Sequence, residues 1–124
     1  MTEETFFYDT YAILEIIRGN VNYRNYVKNI GIVTTMLNLM ELYYRLYILY
    51  GIETAEFYYQ KYSPFIVEIN DFIIKKAMIF KAENRGKDLS YVDCVGYTFA
   101  IEKKIKFLTG DIQFKNMDNV EFVR

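Results

Sequence analysis

Phe6-Phe-Tyr-Asp9, followed by Tyr11-Ala-Ile-Leu-Glu-Ile-Ile17, is the stretch that decides the fold. A short apolar run ending on an acid reads as a buried strand. The apolar residues after it recur at helical spacing until Gly19-Asn20 stops them. The same alternation continues along the chain. Asn22 to Asn29 predicts a second short helix and Gly31-Ile-Val33 a second strand, after which Thr34 or Thr35 caps a long helix running to Gly51. Glu53 to Tyr62 predicts another helix, broken by Ser63-Pro64, and Phe65-Ile-Val67 a third strand. Asp71 to Glu83 is helical and stops at Asn84-Arg-Gly86, and a last helix runs from Ser90 to about Lys104. Ile105-Lys-Phe-Leu108 then reads as a fourth strand and Val120-Glu-Phe-Val123 as an edge strand. Strands alternating with helices imply a parallel sheet covered on both faces. The expected architecture is a three-layer α/β/α sandwich with a central, mainly parallel sheet. With no repeat, low-complexity tract or linker, residues 1–124 are expected to form a single domain.

The composition fits a compact chain: 52% of the 124 residues are hydrophobic, 25% are charged and only one is proline. A globule of this size buries roughly two-thirds of its unfolded surface, enough for one core. The most apolar stretch, Met36 to Tyr50, is interrupted by Asn38, Glu41 and Arg45, short of the roughly 18 apolar residues of a membrane span. Met1-Thr-Glu-Glu-Thr5 is acidic where a secretory signal is basic, so a cytoplasmic location without membrane association is expected.

The chain has no histidine, and Cys94 is its only cysteine. That excludes Ser-His-Asp and Cys-His nucleophile systems, histidine-based zinc sites, a histidine general base and any internal disulfide. Carboxylate, hydroxyl and lysine remain for chemistry, and carboxylate oxygens are the ligands that hard cations such as Mg²⁺ and Mn²⁺ prefer. The formal net charge of −1 argues against coating nucleic acid through an overall field. Neutralising four acids in one cleft would turn it into +3, with Lys75, Lys76, Lys81, Arg85 and Lys87 concentrated in one segment.

Four acids stand where such a cleft would form. Ligands of open parallel sheets bind beyond the carboxyl ends of the strands. Asp9 ends the first strand, and Asp111 follows Phe107-Leu-Thr-Gly110 at the end of the fourth. Glu41 lies about two turns into the long helix, and Asp93 in the first turn of the last one. Two carboxylates about 5 Å apart repel by roughly 3 kcal/mol at an effective dielectric of 20, so such a cluster calls for a cation. Each acid also has a plainer explanation. Ser90-Tyr-Val-Asp93 is a capping box, Thr109-Gly-Asp111 an ordinary turn, and Glu41 a surface acid paired with Arg45. Asp9 is hardest to dismiss, because an acid at the tip of a buried strand needs a partner or a task.

Taken together, Asp9-Thr10 after an N-terminal strand, Asn38-Leu-Met-Glu41 in a helix, Leu89-Ser-Tyr-Val-Asp93 opening another, and Leu108-Thr-Gly-Asp111 with Phe114 resemble the PIN domain, and within it the VapC-type toxins of prokaryotic toxin-antitoxin pairs. The resemblance covers essentially the whole chain in order and spacing. It implies a Mg²⁺- or Mn²⁺-dependent endoribonuclease, with Asp9, Glu41, Asp93 and Asp111 as catalytic metal ligands and Thr10, Ser90 and Thr109 as supporting hydroxyls. RNA is the implied substrate. One departure is Gln113, where many members carry a further acid, which puts a second metal ion in doubt. Asp88 is a possible contributor whose position suits a helix cap.

The helices from Met36 to Tyr62 carry more apolar and tyrosine surface than one small domain hides, with Tyr43, Tyr44, Tyr47, Tyr50, Phe57, Tyr58, Tyr59 and Tyr62. The resemblance assigns this surplus to homodimerisation and to a groove for an antitoxin protein. Alternatives within the same fold are an RNA-maturation nuclease without an antitoxin and a catalytically inert binding module. A phosphatase with Asp9 as nucleophile is weakened by Tyr11, which stands where haloacid-dehalogenase-like enzymes place a second aspartate.

Overall fold

The computed structural model describes residues 4–124; Met1, Thr2 and Glu3 of the acidic opening stretch lie outside the described residues. Strand β1 (Glu4–Tyr8) lies inside a four-stranded sheet of order β2-β1-β3-β4, with β2 (Ile30–Val33), β3 (Lys106–Thr109) and β4 (Val120–Phe122). All three pairings are parallel. The helices between them are α1 (Thr10–Ile17), α2 (Met36–Tyr50), α3 (Ile52–Tyr62), α4 (Asp71–Glu83) and α5 (Tyr91–Glu102).

Side chains alternate across a strand, and both faces of this sheet are buried. Phe6, Tyr8 and Leu108 meet Ala12, Ile13, Leu39, Leu42 and Leu46 on one face, under α1 and α2. Phe7 and Phe107 meet Ile73, Ala77, Val95, Phe99 and Phe114 on the other, under α4 and α5. The result is the expected three-layer α/β/α sandwich. Helix α5 approaches the sheet at Gly96, where an added Cβ would come within 2.7 Å of the Phe7 ring. Gly110 is tighter still: a Cβ there would lie 2.3 Å from both Tyr11 and the carbonyl of Val123, so the chain leaves β3 through a gap only glycine fits.

Thr35 caps α2, its hydroxyl accepting from the Asn38 N–H. Two predicted elements come out differently. The expected third strand, Phe65–Val67, is a single parallel bridge between Thr34 and Ile66, because Ser63–Phe65 winds into a 3₁₀ turn around Pro64. Proline brings no N–H to a ladder, and only two bonds form, Thr34 N–H to Phe65 O and Val67 N–H to Thr34 O. The expected helix from Asn22 to Asn29 is a 3₁₀ turn, Val21–Tyr26, capped by Asn20 and followed at Asn29 by a left-handed residue (φ 58°) that leads into β2.

The surplus apolar surface is where the sequence puts it. Tyr43, Tyr58, Tyr59 and Tyr62 pack against the core, whereas Tyr44, Tyr47, Ile48, Tyr50 and Phe57 remain exposed. Among the described residues no helix is long and apolar enough to cross a membrane.

Candidate active site

The chain crosses from β2 back over β1 to reach β3, so the strand order reverses between β1 and β3. Their carboxyl ends flank the position where parallel sheets bind ligands. A cavity of about 480 Å³ opens there, lined by Asp9, Glu41, Asp93 and Asp111 together with Thr10 and Ser90. All four acids named from the sequence therefore reach one space, from the ends of β1 and β3 and from α2 and α5.

Each acid is held by bonds that fix its direction. Asp9, only 3% exposed, caps α1: one carboxylate oxygen accepts from the Thr10 N–H at 2.9 Å. The other accepts from the Thr109 hydroxyl at 2.7 Å, one hundred residues away in sequence. The Thr109 hydroxyl in turn accepts from the Asp111 N–H at 3.1 Å, so one side chain ties the two strand-end acids together. Asp111 then caps the following 3₁₀ turn by accepting from the Gln113 N–H. Asp93 forms the expected capping box with Ser90, each side chain accepting from the other's backbone N–H, at 2.9 and 3.0 Å.

Glu41 sits at the end of a buried polar relay. The Thr35 hydroxyl donates to Asn38 at 2.6 Å, the Asn38 amide donates to the Thr10 hydroxyl at 3.1 Å, and Thr10 donates to Glu41 at 2.7 Å. Asn38 is fully buried in the body of α2. The acid Glu41 thus faces the cleft, and the surface ion pair with Arg45 does not form among the described residues. One oxygen each of Glu41, Asp93 and Asp111 (Oε2, Oδ1 and Oδ2) makes no hydrogen bond within the described protein and is left to the cavity.

These acids feel one another. Burial raises Asp9 from 3.8 to about 8, helped by the negative charge of Asp93 and then Glu41, and opposed by the bonds from Thr109 and Thr10. Glu41 is raised by burial, opposed by the Thr10 bond, with Asp93 adding to the rise and Arg45 lowering it. Asp93 is raised by burial, opposed by Ser90 and reinforced by Asp111 and Asp88. Burial is the main cause of all three rises, and the neighbouring negative charges add to it.

The donor set is all oxygen, since the chain lacks histidine and Cys94, on α5, is buried in the core. It fits a hard divalent cation. Among the described residues no three acids draw together tightly enough to form a cage by themselves.

Several features were not foreseen. Asn38 belongs to the site as the link between the α2 cap and Thr10; its spacing of three from both Thr35 and Glu41, along one side of a helix, is the signal in the sequence. Arg18 and Arg45 also line the cavity, Arg18 held to Glu15 at 3.0 Å. Asp88 does not cap α5, because Ser90 does; the Asp88 N–H instead donates to the side chain of Gln113 at 3.3 Å.

A parallel α/β sandwich with a histidine-free acidic cleft at the strand-order reversal defines the class. The sequence model of the PIN domain matches residues 6–120, and the chain belongs to that family. Solved structures agree in fold. VapC20 of Mycobacterium tuberculosis, described as a sarcin-ricin-loop-cleaving toxin, superposes with a TM-score of 0.80 at 17% identity, over 96% of this chain and 99% of that one. VapBC2 of Rickettsia felis, bound to a DNA fragment from its promoter, gives 0.69 at 19% identity, over 97% and 99%. A toxin-antitoxin complex from Klebsiella pneumoniae gives 0.71 at 13% identity, over 92% and 93%. No curated protein matches the sequence.

Proposed function

We propose that this chain is a metal-dependent endoribonuclease that hydrolyses RNA phosphodiester bonds, acting as the toxin of a toxin-antitoxin pair. The observation that supports it most is the convergence of Asp9, Glu41, Asp93 and Asp111 from four separate elements on one cavity, each oriented by a hydroxyl or a backbone N–H. Membership of a family of nucleases and likeness in fold to VapC20 and to toxin-antitoxin complexes point the same way.

The four carboxylates would hold Mg²⁺ or Mn²⁺. When bound, the ion supplies positive charge for the phosphate oxygens and makes water acidic enough to attack phosphorus. The chain's own residues do the rest. Thr109 and the Thr10 N–H fix both oxygens of Asp9; the Thr35-Asn38-Thr10 relay fixes Glu41; Ser90 fixes Asp93. The ligands are thus set before substrate arrives, which lowers the reorganisation needed in the reaction. Arg45 at the same cavity, in no ion pair among the described residues, offers a cationic group to the phosphate strand. The exposed aromatic face of α2 and α3 would serve a homodimer contact and an antitoxin protein. Residues 1–124 would act as one domain in the cytoplasm.

The test is cleavage of RNA by the purified protein with Mg²⁺ or Mn²⁺, with EDTA, and with Asp9→Asn. Cleavage should require the metal and vanish in the variant, while circular dichroism stays native. Undiminished cleavage by the variant or in EDTA would refute the proposal.

A further inference from the structure

The first turn of α5 separates two cavities of opposite character. On one side, Ser90 and Asp93 line the acidic cleft. On the other, Tyr91 lines a separate cavity of about 330 Å³ with Lys81, Arg85 and Lys87 from the end of α4 and the loop after it. Residues two apart on a helix project about 200° from one another, so Tyr91 and Asp93 stand back to back. Charge changes sign across one helix turn.

The basic side is arranged around the tyrosine ring. The Lys81 ammonium lies 4.8 Å from the centre of the Tyr91 ring and donates to the carbonyl of Leu89 at 2.6 Å, pinning the chain just before the Ser90 cap. Lys81 covers one face of the ring, yet Tyr91 remains 66% exposed at a position where neither core packing nor a hydrogen bond requires a large aromatic. Arg85 and Lys87 make no ion pair among the described residues, although Glu83 and Asp88 are near in sequence. Lys76, by contrast, is taken up by Glu102. An open aromatic face beside unpaired cations is the chemistry that holds single-stranded nucleic acid: bases stack on the ring while Arg and Lys take phosphates.

Resting on the nuclease reading, we infer that the cavity of Tyr91, Arg85 and Lys87 is a subsite for unpaired nucleotides of the RNA, next to the scissile position. A strand with one phosphate in the acidic cleft passes over the N-terminal turn of α5, and a neighbouring base stacks on Tyr91. A helix with its side chains is about 10 Å across, so the stacked base belongs to a nucleotide near the cut and not at it. Duplex RNA, whose bases are already stacked on each other, gains nothing from this ring.

The experiment measures binding, not cleavage. A fluorescein-labelled single-stranded oligoribonucleotide is titrated in EDTA by fluorescence anisotropy against the full chain carrying Asp9→Asn, alone and with added Tyr91→Ala, Tyr91→Phe, or Arg85→Gln with Lys87→Gln. Tyr91→Ala should weaken binding by about tenfold and Tyr91→Phe hardly at all. The double glutamine variant should lower the salt slope of the logarithm of affinity by about 1.4, at about 0.7 per phosphate contact. A duplex of the same sequence should bind equally with tyrosine or alanine at position 91. Undiminished single-strand binding by Tyr91→Ala, no measurable binding at all, or displacement by poly-glutamate as effective as by unlabelled RNA would overturn the subsite. Failure of metal-dependent cleavage while Tyr91-dependent binding persists would remove the nuclease reading and leave the subsite standing.

Discussion

Helices α1 and α4 begin with the same local chemistry and end up in different roles. Asp9 caps α1 and Asn70 caps α4, each through a side-chain oxygen that accepts a backbone N–H at 2.9 Å. Asn70 does nothing else: it is exposed, and its bond satisfies one of the donors that any helix start leaves over. Asp9 is buried, takes a second bond from Thr109 across the sheet, and is pushed up to about 8 by burial and by neighbouring acids. A cap becomes a candidate functional group when burial and long-range partners make its charge expensive. The α5 start, where Ser90 and Asp93 cap each other at the edge of the cleft, lies between the two cases.

Substitutions can sharpen this contrast. The largest effect belongs to Asp9→Asn, expected to lower RNA cleavage by more than the roughly 100-fold that follows loss of a residue behind a metal ligand. The same carboxylate should govern the pH dependence of folding. Asp9 holds its proton more tightly when folded (about 8) than its ordinary value of 3.8, so the stability this contributes is full below about pH 4 and is lost as the pH rises through about 8. Glu41 and Asp93 are raised as well and act in the same direction. In EDTA the urea midpoint should therefore fall between pH 5 and pH 8.5; Mg²⁺ should restore it chiefly at the alkaline end, and Asp9→Asn should flatten the curve. An unchanged slope in the variant would show that the strain lies elsewhere. Next comes Thr10→Val, which cuts the relay to Glu41 without touching its charge. Cleavage should drop about 10- to 100-fold. A loss of less than twofold would mean that Glu41 needs no such support.

Much of this contrast can be read from the chain before folding, and the rest cannot for definite reasons. The strand end at Asp9, the α2 cap and the capping box at Ser90 are local patterns, decided by neighbours within a few residues. The four strands that form were also visible in their alternation with helices. Phe65–Val67 has the composition of a strand, but a strand needs a ladder, and the 3₁₀ turn around Pro64 leaves only Ile66 to bridge. Asn22 to Asn29 lacks an apolar stripe strong enough to extend its 3₁₀ turn beyond Tyr26, and left-handed Asn29 then redirects the chain into β2. Asn38 is legible as part of the Asn38-Leu-Met-Glu41 motif, but not its role, which lies in a contact with Thr10, twenty-eight residues back. The separation of the basic and acidic cavities by one turn of α5 appears only once α4 and α5 pack side by side.

The smallest effect tests the other half of the contrast. If Asn70 is a purely local cap, Asn70→Ala removes one bond, to the partly buried Ile73 N–H, and leaves that donor without its cap. The cost should be about 1 kcal/mol of folding stability, seen as a lower urea midpoint with an unchanged denaturant slope. Cleavage at a temperature where both proteins are folded should be unaffected, since α4 starts away from the acidic cavity and none of that cavity's lining residues touches Asn70 by hydrogen bond or ion pair. Ser90→Ala at the α5 start should lose a similar amount of stability and, in addition, activity, because its cap also aims Asp93. Equal activity losses in the two variants would mean that capping matters to this protein only through stability, and that the cleft does not depend on how its helix starts are held.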